Sequence, residues 1–248
     1  MEEKEIKQAE NKMGVMPVNK LLLTMSVPIM LSMLVQALYN VVDSVFVSMV
    51  SENALNAVSL AFPIQNLMIA VSTGTGVGIN ALLSKSLGQK RFEKANLTAV
   101  NGVFLGVCSY LAFAVLCALF ARPFFAVQTD VAEIVEGGTQ YITICGVLSF
   151  GLFLHITFDR LLQATGRTML SMITQLIGAL VNLIFDPIFI FVLDMGVAGA
   201  SLATAISKWV SFAILIFPYI TRRSLLHLSI RNFHPSWDII AKVVSVGS

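Results

Sequence analysis

Six long apolar runs, separated by short polar breaks, make up most of the chain between residues 21 and 220. A helix that crosses the hydrocarbon core of a bilayer needs about 20 predominantly apolar residues, and every run reaches that length. The runs predict membrane-spanning helices at residues 21–50, 55–83, 97–120, 134–158, 169–193 and 197–220. The fold class expected from this pattern is an all-α polytopic membrane protein with a six-transmembrane-helix bundle.

Composition and charge placement support this prediction and orient the chain. Of the 248 residues 56% are hydrophobic and only 12% are charged, whereas soluble domains usually carry about 25% charged residues. The lysines and arginines cluster at the amino terminus and after the second, fourth and sixth runs, while the other breaks are mainly acidic. This basic set comprises Lys4, Lys7, Lys12, Lys20, Lys85, Lys90, Arg91, Lys94, Arg160, Arg167, Arg222, Arg223 and Arg231. Because positively charged loops stay on the cytoplasmic side, we expect a cytoplasmic amino terminus.

The same pattern divides the chain into three segments. We expect an N-terminal six-helix transmembrane lobe at residues 1–221, a cytoplasmic linker at 222–236 and the start of a truncated seventh helix at 237–248. The stretch HPSWDIIAKVVSVGS is similar in its arrangement of proline, polar, lysine and apolar residues to MPVNKLLLTMSVP near the amino terminus. Internal repeats of helix bundles are common in secondary transporters. The alternative for the last segment is a peripheral amphipathic tail.

Three ionisable residues lie inside the predicted spans: Asp43 in the first, Asp186 in the fifth and Lys208 in the sixth. Ionisable side chains are costly in hydrocarbon, so they usually face the protein interior and mark ion or substrate pathways. Both aspartates lie in the later part of spans that start in the cytoplasm, so we expect them to meet in the outer half of the membrane. Asn182 lies four residues before Asp186, and Thr204 lies four residues before Lys208, so each pair shares a helix face. Two carboxylates, an amide and a hydroxyl predict an oxygen-rich pocket for protons or a small hard cation.

Alternatives remain open for these residues. Asp186 and Lys208 can instead form a fixed ion pair that holds the bundle together, and Lys208 in any case modulates the acids near it. Pro28 in the first span and Pro187 directly after Asp186 each remove a backbone hydrogen bond, which favours a kink. Such kinks are either static or a moving part beside the acids.

Other motifs exclude several classes of protein. The stretch STGTGVGINA lies inside a predicted span, where small residues permit close helix packing, and lacks the strand and turn of a nucleotide-binding loop. No metal-ligand cluster, Walker A lysine or nucleophile motif is present in the sequence. We therefore expect no enzyme, no resident cofactor or metal, and no nucleic acid partner.

Several stretches, taken in order, carry a family resemblance. They are SVPIMLSMLVQALYNVVDSVFV, LNAVSLAFPIQNLM, SLGQKRFEKAN, LLQATGRTMLSM and NLIFDPIFIFVLDMGVAGASLATAIS. In them the chain resembles the multidrug and toxic compound extrusion (MATE) family of efflux transporters. The resemblance implies twelve spanning helices in two six-helix lobes around a central cavity, of which this chain is the first lobe and the start of the second. It also implies exchange of cationic or amphipathic drugs for Na⁺ or H⁺.

The resemblance also assigns roles to particular residues. Asp43, Asn182, Asp186 and Thr204 match the cation-binding cluster of the amino-terminal lobe, and Pro28 matches the proline at which the first helix bends. The chain departs from the family pattern near Lys208, where an uncharged polar residue, often glutamine, is expected. The coupling ion therefore stays open between Na⁺ and H⁺.

The expected function is a cation-coupled antiporter of the cell (inner) membrane that exports small drug-like molecules, with the lipid bilayer as its surroundings and a second lobe missing from this chain. An ion or proton between Asp43 and Asp186 would favour one bend of the first helix. A related flippase for lipid-linked saccharides is one alternative, for which Lys208 is the only basic candidate inside the predicted spans. A non-transporting or half-sized membrane subunit, which would dimerise, is the other.

Overall fold

The computed structural model describes residues 16–220 and 235–247, and these residues form helices joined by short turns. The helices are α1 (Val18–Val50), α2 (Glu52–Gly88), α3 (Phe92–Gln128), α4 (Ala132–Val147), α5 (Phe150–Ala164), α6 (Thr168–Pro187), α7 (Gly196–Ile220) and α8 (Trp237–Gly247). A π-helical turn, Ile188–Val192, follows α6.

Five of these elements are long and apolar enough to cross a bilayer: α1, α2, α3, α6 with its π-helical turn, and α7. The pair α4 and α5 passes the same test together, although it is bent by 47°. Counted as one span, the pair brings the number of spans in the described part of the chain to six. The expected all-α polytopic fold is confirmed, and the chain is a multi-pass membrane protein.

The fourth predicted span, at residues 134–158, is interrupted, because the helix breaks between Val147 and Phe150. The break has its own hydrogen-bond donors: the Tyr110 hydroxyl donates to the Val147 carbonyl at 3.3 Å, and Trp209 Nε1 donates to the Leu148 carbonyl at 3.2 Å. Backbone groups inside a membrane must be satisfied by the protein. Side chains from α3 and α7 therefore stabilise the bend. The fourth run contains no proline from which the bend could be predicted.

Two buried apolar clusters hold the helices together and position the polar groups between them. One is built around Ile79, Leu83, Leu161, Leu215 and Val243. The other is built around Val47, Met68, Phe125, Phe153 and Ile190. Val47 lies one helical turn after Asp43, and Ile190 lies four residues after Asp186, so the second cluster abuts both predicted acids.

The glycine-rich stretch of α2 allows α8 to approach closely. A methyl group added to Gly78 would lie 2.0 Å from the Val243 carbonyl oxygen, and one added to Gly74 would lie 2.6 Å from the Gly247 oxygen. The prediction that these glycines permit close helix packing is confirmed. The beginning of α8 is also tied to α3, because the Ser236 amide donates to Asn101 Oδ1 at 2.9 Å. Residues 221–234, most of the predicted linker 222–236, lie outside the described residues.

Candidate functional site

Asp43 and Asp186, which belong to different helices, come into contact. Asp43 lies on α1, Asp186 lies at the end of α6, and their carboxyl groups are within hydrogen-bonding range of each other. Asp186 is completely buried. An ionised carboxylate has no proton to donate and two such groups repel, so a proton or a cation between them would stabilise this contact.

Asn182 and Thr204 complete the predicted cluster. Asn182 Nδ2 donates to Asp186 Oδ1 at 3.2 Å and to Thr204 Oγ1 at 3.4 Å. The structure therefore places all four sequence-predicted residues in one group, contributed by α1, α6 and α7. The spacing of four residues on α6 puts the amide and the carboxyl group on one face of the helix.

Three oxygen atoms of this cluster lack a hydrogen-bond donor. Within residues 16–220 and 235–247, no N–H or O–H group donates to Asp43 Oδ1, Asp186 Oδ2 or Asn182 Oδ1, and all three atoms are buried. Buried acceptors of this kind are normally satisfied. Carboxylate and amide oxygens are also ligands for hard cations such as Na⁺, and a carboxylate oxygen can bind a proton. The cluster is therefore chemically suited to hold a small cation or a proton.

The cluster borders a cavity of about 410 Å³ that is lined by residues of α1, α2, α4, α5, α6 and α7. Asp43, Thr204 and Lys208 line this cavity, whereas Asn182 and Asp186 lie behind its wall. Asp43 is thus the acid that faces both the cavity and the buried half of the cluster. The volume of the cavity falls within the range of about 300–1,000 Å³ that is typical of small-molecule sites.

Lys208 does not pair with Asp186. Its ammonium group donates to the Tyr39 hydroxyl at 3.2 Å and lies 5.3 Å from the centre of the Tyr39 ring. In the part of the chain that the structure describes, the ion pair within 4.0 Å is the exposed one between Lys242 and Asp238. The alternative of a fixed Asp186–Lys208 pair is therefore wrong for this conformation.

Sequence reasoning missed a second polar group, centred on Asp159. The predicted fourth span ends at residue 158 and leaves Asp159 and Arg160 in the polar break, but α5 continues to Ala164 and Asp159 is only 5% exposed. Gln163 and Gln175 donate to Asp159 Oδ2 at 2.8 and 3.4 Å.

The same carboxylate receives a further hydrogen bond on its other oxygen, from the Ser171 hydroxyl to Asp159 Oδ1. The spacing of four residues between Asp159 and Gln163, and between Ser171 and Gln175, was the available signal. His155, one turn before Asp159, is also buried and lines the cavity.

The two prolines lie in different surroundings. Pro28 is buried inside α1, which continues as one helix from Val18 to Val50, and its carbonyl accepts a hydrogen bond from the Ser32 hydroxyl at 2.8 Å. Pro187 is the last residue of α6, and the backbone then changes to a π-helical turn. The regular α-helix thus ends directly after Asp186, while the helix-bending role of both prolines stays a prediction.

Comparison with known proteins agrees with this architecture. A profile of the MatE family matches residues 28–188. The multidrug export protein MepA of Staphylococcus aureus (strain MRSA252) is 24% identical over 232 residues, which cover 93% of this chain and 51% of MepA. The chain spans about half the length of the relatives it matches.

Solved structures give the same picture. A multidrug resistance MATE family transporter of the MOP superfamily, in an outward-facing conformation, aligns with a TM-score of 0.88 and 28% identity over 92% of this chain and 51% of its own. A MATE structure in a bent conformation aligns with a TM-score of 0.87 and 28% identity over the same shares. The chain belongs to the MatE family of multidrug and toxic compound extrusion transporters.

Proposed function

We propose that this chain is the amino-terminal lobe of a cation-coupled antiporter that exports cationic or amphipathic drugs across the cell membrane in exchange for Na⁺ or H⁺. The observation that carries the proposal is the contact between Asp43 and Asp186 beside a cavity of drug-like size. The relatives named as multidrug export proteins support the substrate class. Their roughly twofold greater length supports a second lobe that completes the central cavity.

Coupling follows from where the two acids lie. Asp43 is carried by α1 and faces the cavity, whereas Asp186 is carried by α6 and is buried behind it. A proton or Na⁺ bound between them removes the repulsion of two carboxylates and draws α1 towards α6. Release of the ion lets α1 move away. An ion shifts such an equilibrium only by its difference in affinity for the two states, and the separated state has only half of the binding group.

Pro28 is the proposed hinge of this movement. It lacks the amide proton that would complete the helical hydrogen-bond ladder, so α1 bends there at lower cost than elsewhere. A solved relative is described in a bent conformation, which supports the proposal that this fold adopts more than one conformation. Movement of the first half of α1 changes the width of the cavity and expels the drug to the outside.

The positions of the basic residues suggest how the chain is oriented in the membrane. The basic residues before α1, in the last turn of α2 and in the turn between α2 and α3, including Lys85, Lys90 and Arg91, favour a cytoplasmic amino terminus. Lipid then surrounds the apolar outer faces of the helices. The drug enters from the cytoplasmic side and leaves on the opposite side.

The test is gradient-driven transport in proteoliposomes that contain the purified native protein. A fluorescent lipophilic cation, ethidium, is followed under an imposed Na⁺ gradient and, separately, under an imposed pH gradient. Asp43→Asn should abolish the gradient-dependent part of transport. Asp130→Asn, at an exposed acid in the turn between α3 and α4, is the matched control. Unchanged transport by Asp43→Asn would overturn the proposal, and the effective gradient identifies the coupling ion.

A flippase for lipid-linked saccharides is the second candidate, because two basic residues rather than one line the cavity. They are Lys208 and Arg160. Arg160, however, donates to Gln163 Oε1 at 2.9 Å, and its positive charge acts on Asp159. Accumulation of lipid-linked precursors in a deletion strain would favour the flippase. The mass of the native polypeptide, together with cross-linking, tests the half-sized subunit.

A further inference from the structure

The middle of α1 is packed sparsely against the rest of the lobe. Between Ser32 and Val47, all of which the structure describes, no residue of this helix is buried. The Ser44 hydroxyl donates to the Asn40 carbonyl at 2.9 Å, so it bonds within α1 itself. Membrane helices associate through packing and through hydrogen bonds between helices. Where packing is sparse, the contacts between polar side chains therefore matter more for the position of the helix.

Among the described residues, two polar contacts reach this part of α1 from other helices. Asp43 meets Asp186 of α6, and the ammonium group of Lys208 on α7 donates to the Tyr39 hydroxyl at 3.2 Å. The same ammonium group lies 5.3 Å from the centre of the Tyr39 ring, within the range of about 6 Å for a cation–π contact. Lys208 therefore contacts both the polar and the aromatic part of a side chain of α1.

The contact between Lys208 and Tyr39 lies next to the acid pair. Tyr39 is one helical turn before Asp43 on α1, and Lys208 is one turn after Thr204 on α7. Thr204 belongs to the same cluster as the acids through its hydrogen bond from Asn182 at 3.4 Å. On both helices the contact is thus one turn away from a member of that cluster, so a shift of Tyr39 also shifts Asp43.

Lys208 belongs to the well-packed part of the lobe. Its charge and that of Arg160 both act on Asp159 of α5. Asp159 is in turn fixed by hydrogen bonds from Gln163 and Gln175 at 2.8 and 3.4 Å. An opposite charge nearby lowers the cost of an ammonium group inside a membrane-spanning bundle. Lys208 thus connects α5 and α7, which pack against each other, to the sparsely packed α1.

We propose that Lys208 is a positioning residue for the coupling ion: through Tyr39 it holds α1 where Asp43 meets Asp186. The inference rests on the proposed function, in which the acid pair binds the ion. Only molecules with α1 in this position offer both carboxylates, so the apparent dissociation constant is the intrinsic one divided by their fraction. The contact with Tyr39 raises that fraction. Lys208 therefore strengthens ion binding, although it carries the same sign of charge as the ion.

The direction of the effect separates this role from a direct effect of charge. A lysine that acts on the ion by its charge alone repels it. Its removal would then strengthen ion binding, whether or not Tyr39 is present. A lysine that positions α1 has the opposite effect, and it acts only through Tyr39. Loss of the ammonium group of Lys208 should therefore weaken ion binding.

The test is ion-dependent thermal unfolding of the purified native protein in detergent, which gives the half-saturating concentration of Na⁺ or H⁺. Lys208→Met removes the charge at similar side-chain length. It should raise the half-saturating concentration about ten-fold, the loss expected for one charge-assisted hydrogen bond. Tyr39→Leu should raise it by a similar factor.

The double variant and two further variants complete the test. Because Lys208 and Tyr39 act through one contact, the double variant should raise the half-saturating concentration no more than either single variant does. Lys208→Arg, which keeps a charged donor, should restore most of the affinity of the parent protein. The control Lys85→Met, at an exposed lysine on α2, should leave the affinity unchanged.

Tighter ion binding by Lys208→Met, unchanged ion binding, or additive losses in the double variant would overturn the positioning role and leave the antiporter in place. Hydrogen exchange across α1, measured without added ion, is the second readout. Lys208→Met and Tyr39→Leu should each increase exchange around Tyr39, and Lys85→Met should not. Increased exchange in a protein without ion-dependent stabilisation would keep the contact that positions α1 and reject the proposed function. Unchanged exchange in Lys208→Met would overturn the positioning role, whatever the ion does.

Discussion

Asp43 of α1 and Asp186 of α6 hold their carboxyl groups in contact, although long stretches of helix separate them along the chain. One partner faces a cavity and the other is fully buried. The pair therefore links a site that a solute can reach to the packing between two membrane-spanning helices. A change in what occupies the space between the carboxylates changes how well α1 and α6 fit together.

The first prediction concerns stability in the presence of the coupling ion. An ion that binds the folded state stabilises it by about 2.7 kcal/mol at a concentration 100 times its dissociation constant. Na⁺, or acidification if the ion is H⁺, should therefore raise the Tm of the purified chain in detergent. Asp43→Asn should remove this increase, because it removes one of the two carboxylates. Asp130→Asn should keep it, and an ion-dependent increase that survives Asp43→Asn would contradict the assignment.

The second prediction ranks the two neutral members of the cluster. Asn182 donates to Asp186 Oδ1 and to Thr204 Oγ1, at 3.2 and 3.4 Å. Asn182→Ala removes both hydrogen bonds and should weaken ion-dependent stabilisation about ten-fold in apparent affinity. Thr204→Val removes only the longer one and should have the smaller effect. Titration of the ion against Tm measures both, and the opposite order would show that Thr204, rather than Asn182, organises the site.

The third prediction tests the packing of α8 on α2. A side chain at Gly78 would lie 2.0 Å from the Val243 carbonyl oxygen, whereas Gly88, at the end of the same helix, has nothing within 4 Å. Gly78→Ala should therefore destabilise the fold by about 1–3 kcal/mol, the usual cost of overpacking. It should also increase hydrogen exchange across Trp237–Gly247. Gly88→Ala is the matched control and should change neither quantity by a comparable amount.

The fourth prediction concerns the buried carboxylate of Asp159. Ser171→Ala removes one of its donors and leaves a charged, buried oxygen with less hydrogen bonding, at a cost of about 1.5–3 kcal/mol. Chemical or thermal unfolding in detergent measures this loss. The control is Ser59→Ala, since the Ser59 hydroxyl is exposed and donates to its own helix at the Leu55 carbonyl. Similar losses for the two variants would mean that Asp159 does not depend on Ser171.

The number, order and approximate limits of the spanning helices were accessible from the sequence, because lipid requires long apolar runs whatever their neighbours are. So was the grouping of Asp43, Asn182, Asp186 and Thr204, whose depths and helix faces follow from the regular helical rise of about 1.5 Å per residue. Close packing at Gly78 could also be predicted, because glycine inside a spanning helix lets a neighbouring helix approach closely.

Only the tertiary structure decided three other features. The fourth span bends because Tyr110 and Trp209, on helices α3 and α7, provide hydrogen bonds to the Val147 and Leu148 carbonyls. Asp159 is buried because Gln163, Ser171 and Gln175 converge on it.

Lys208 pairs with Tyr39 and faces the cavity rather than Asp186. These outcomes depend on side chains distant in sequence. Periodicity along one helix says which face is polar, but only packing determines which partner that face meets.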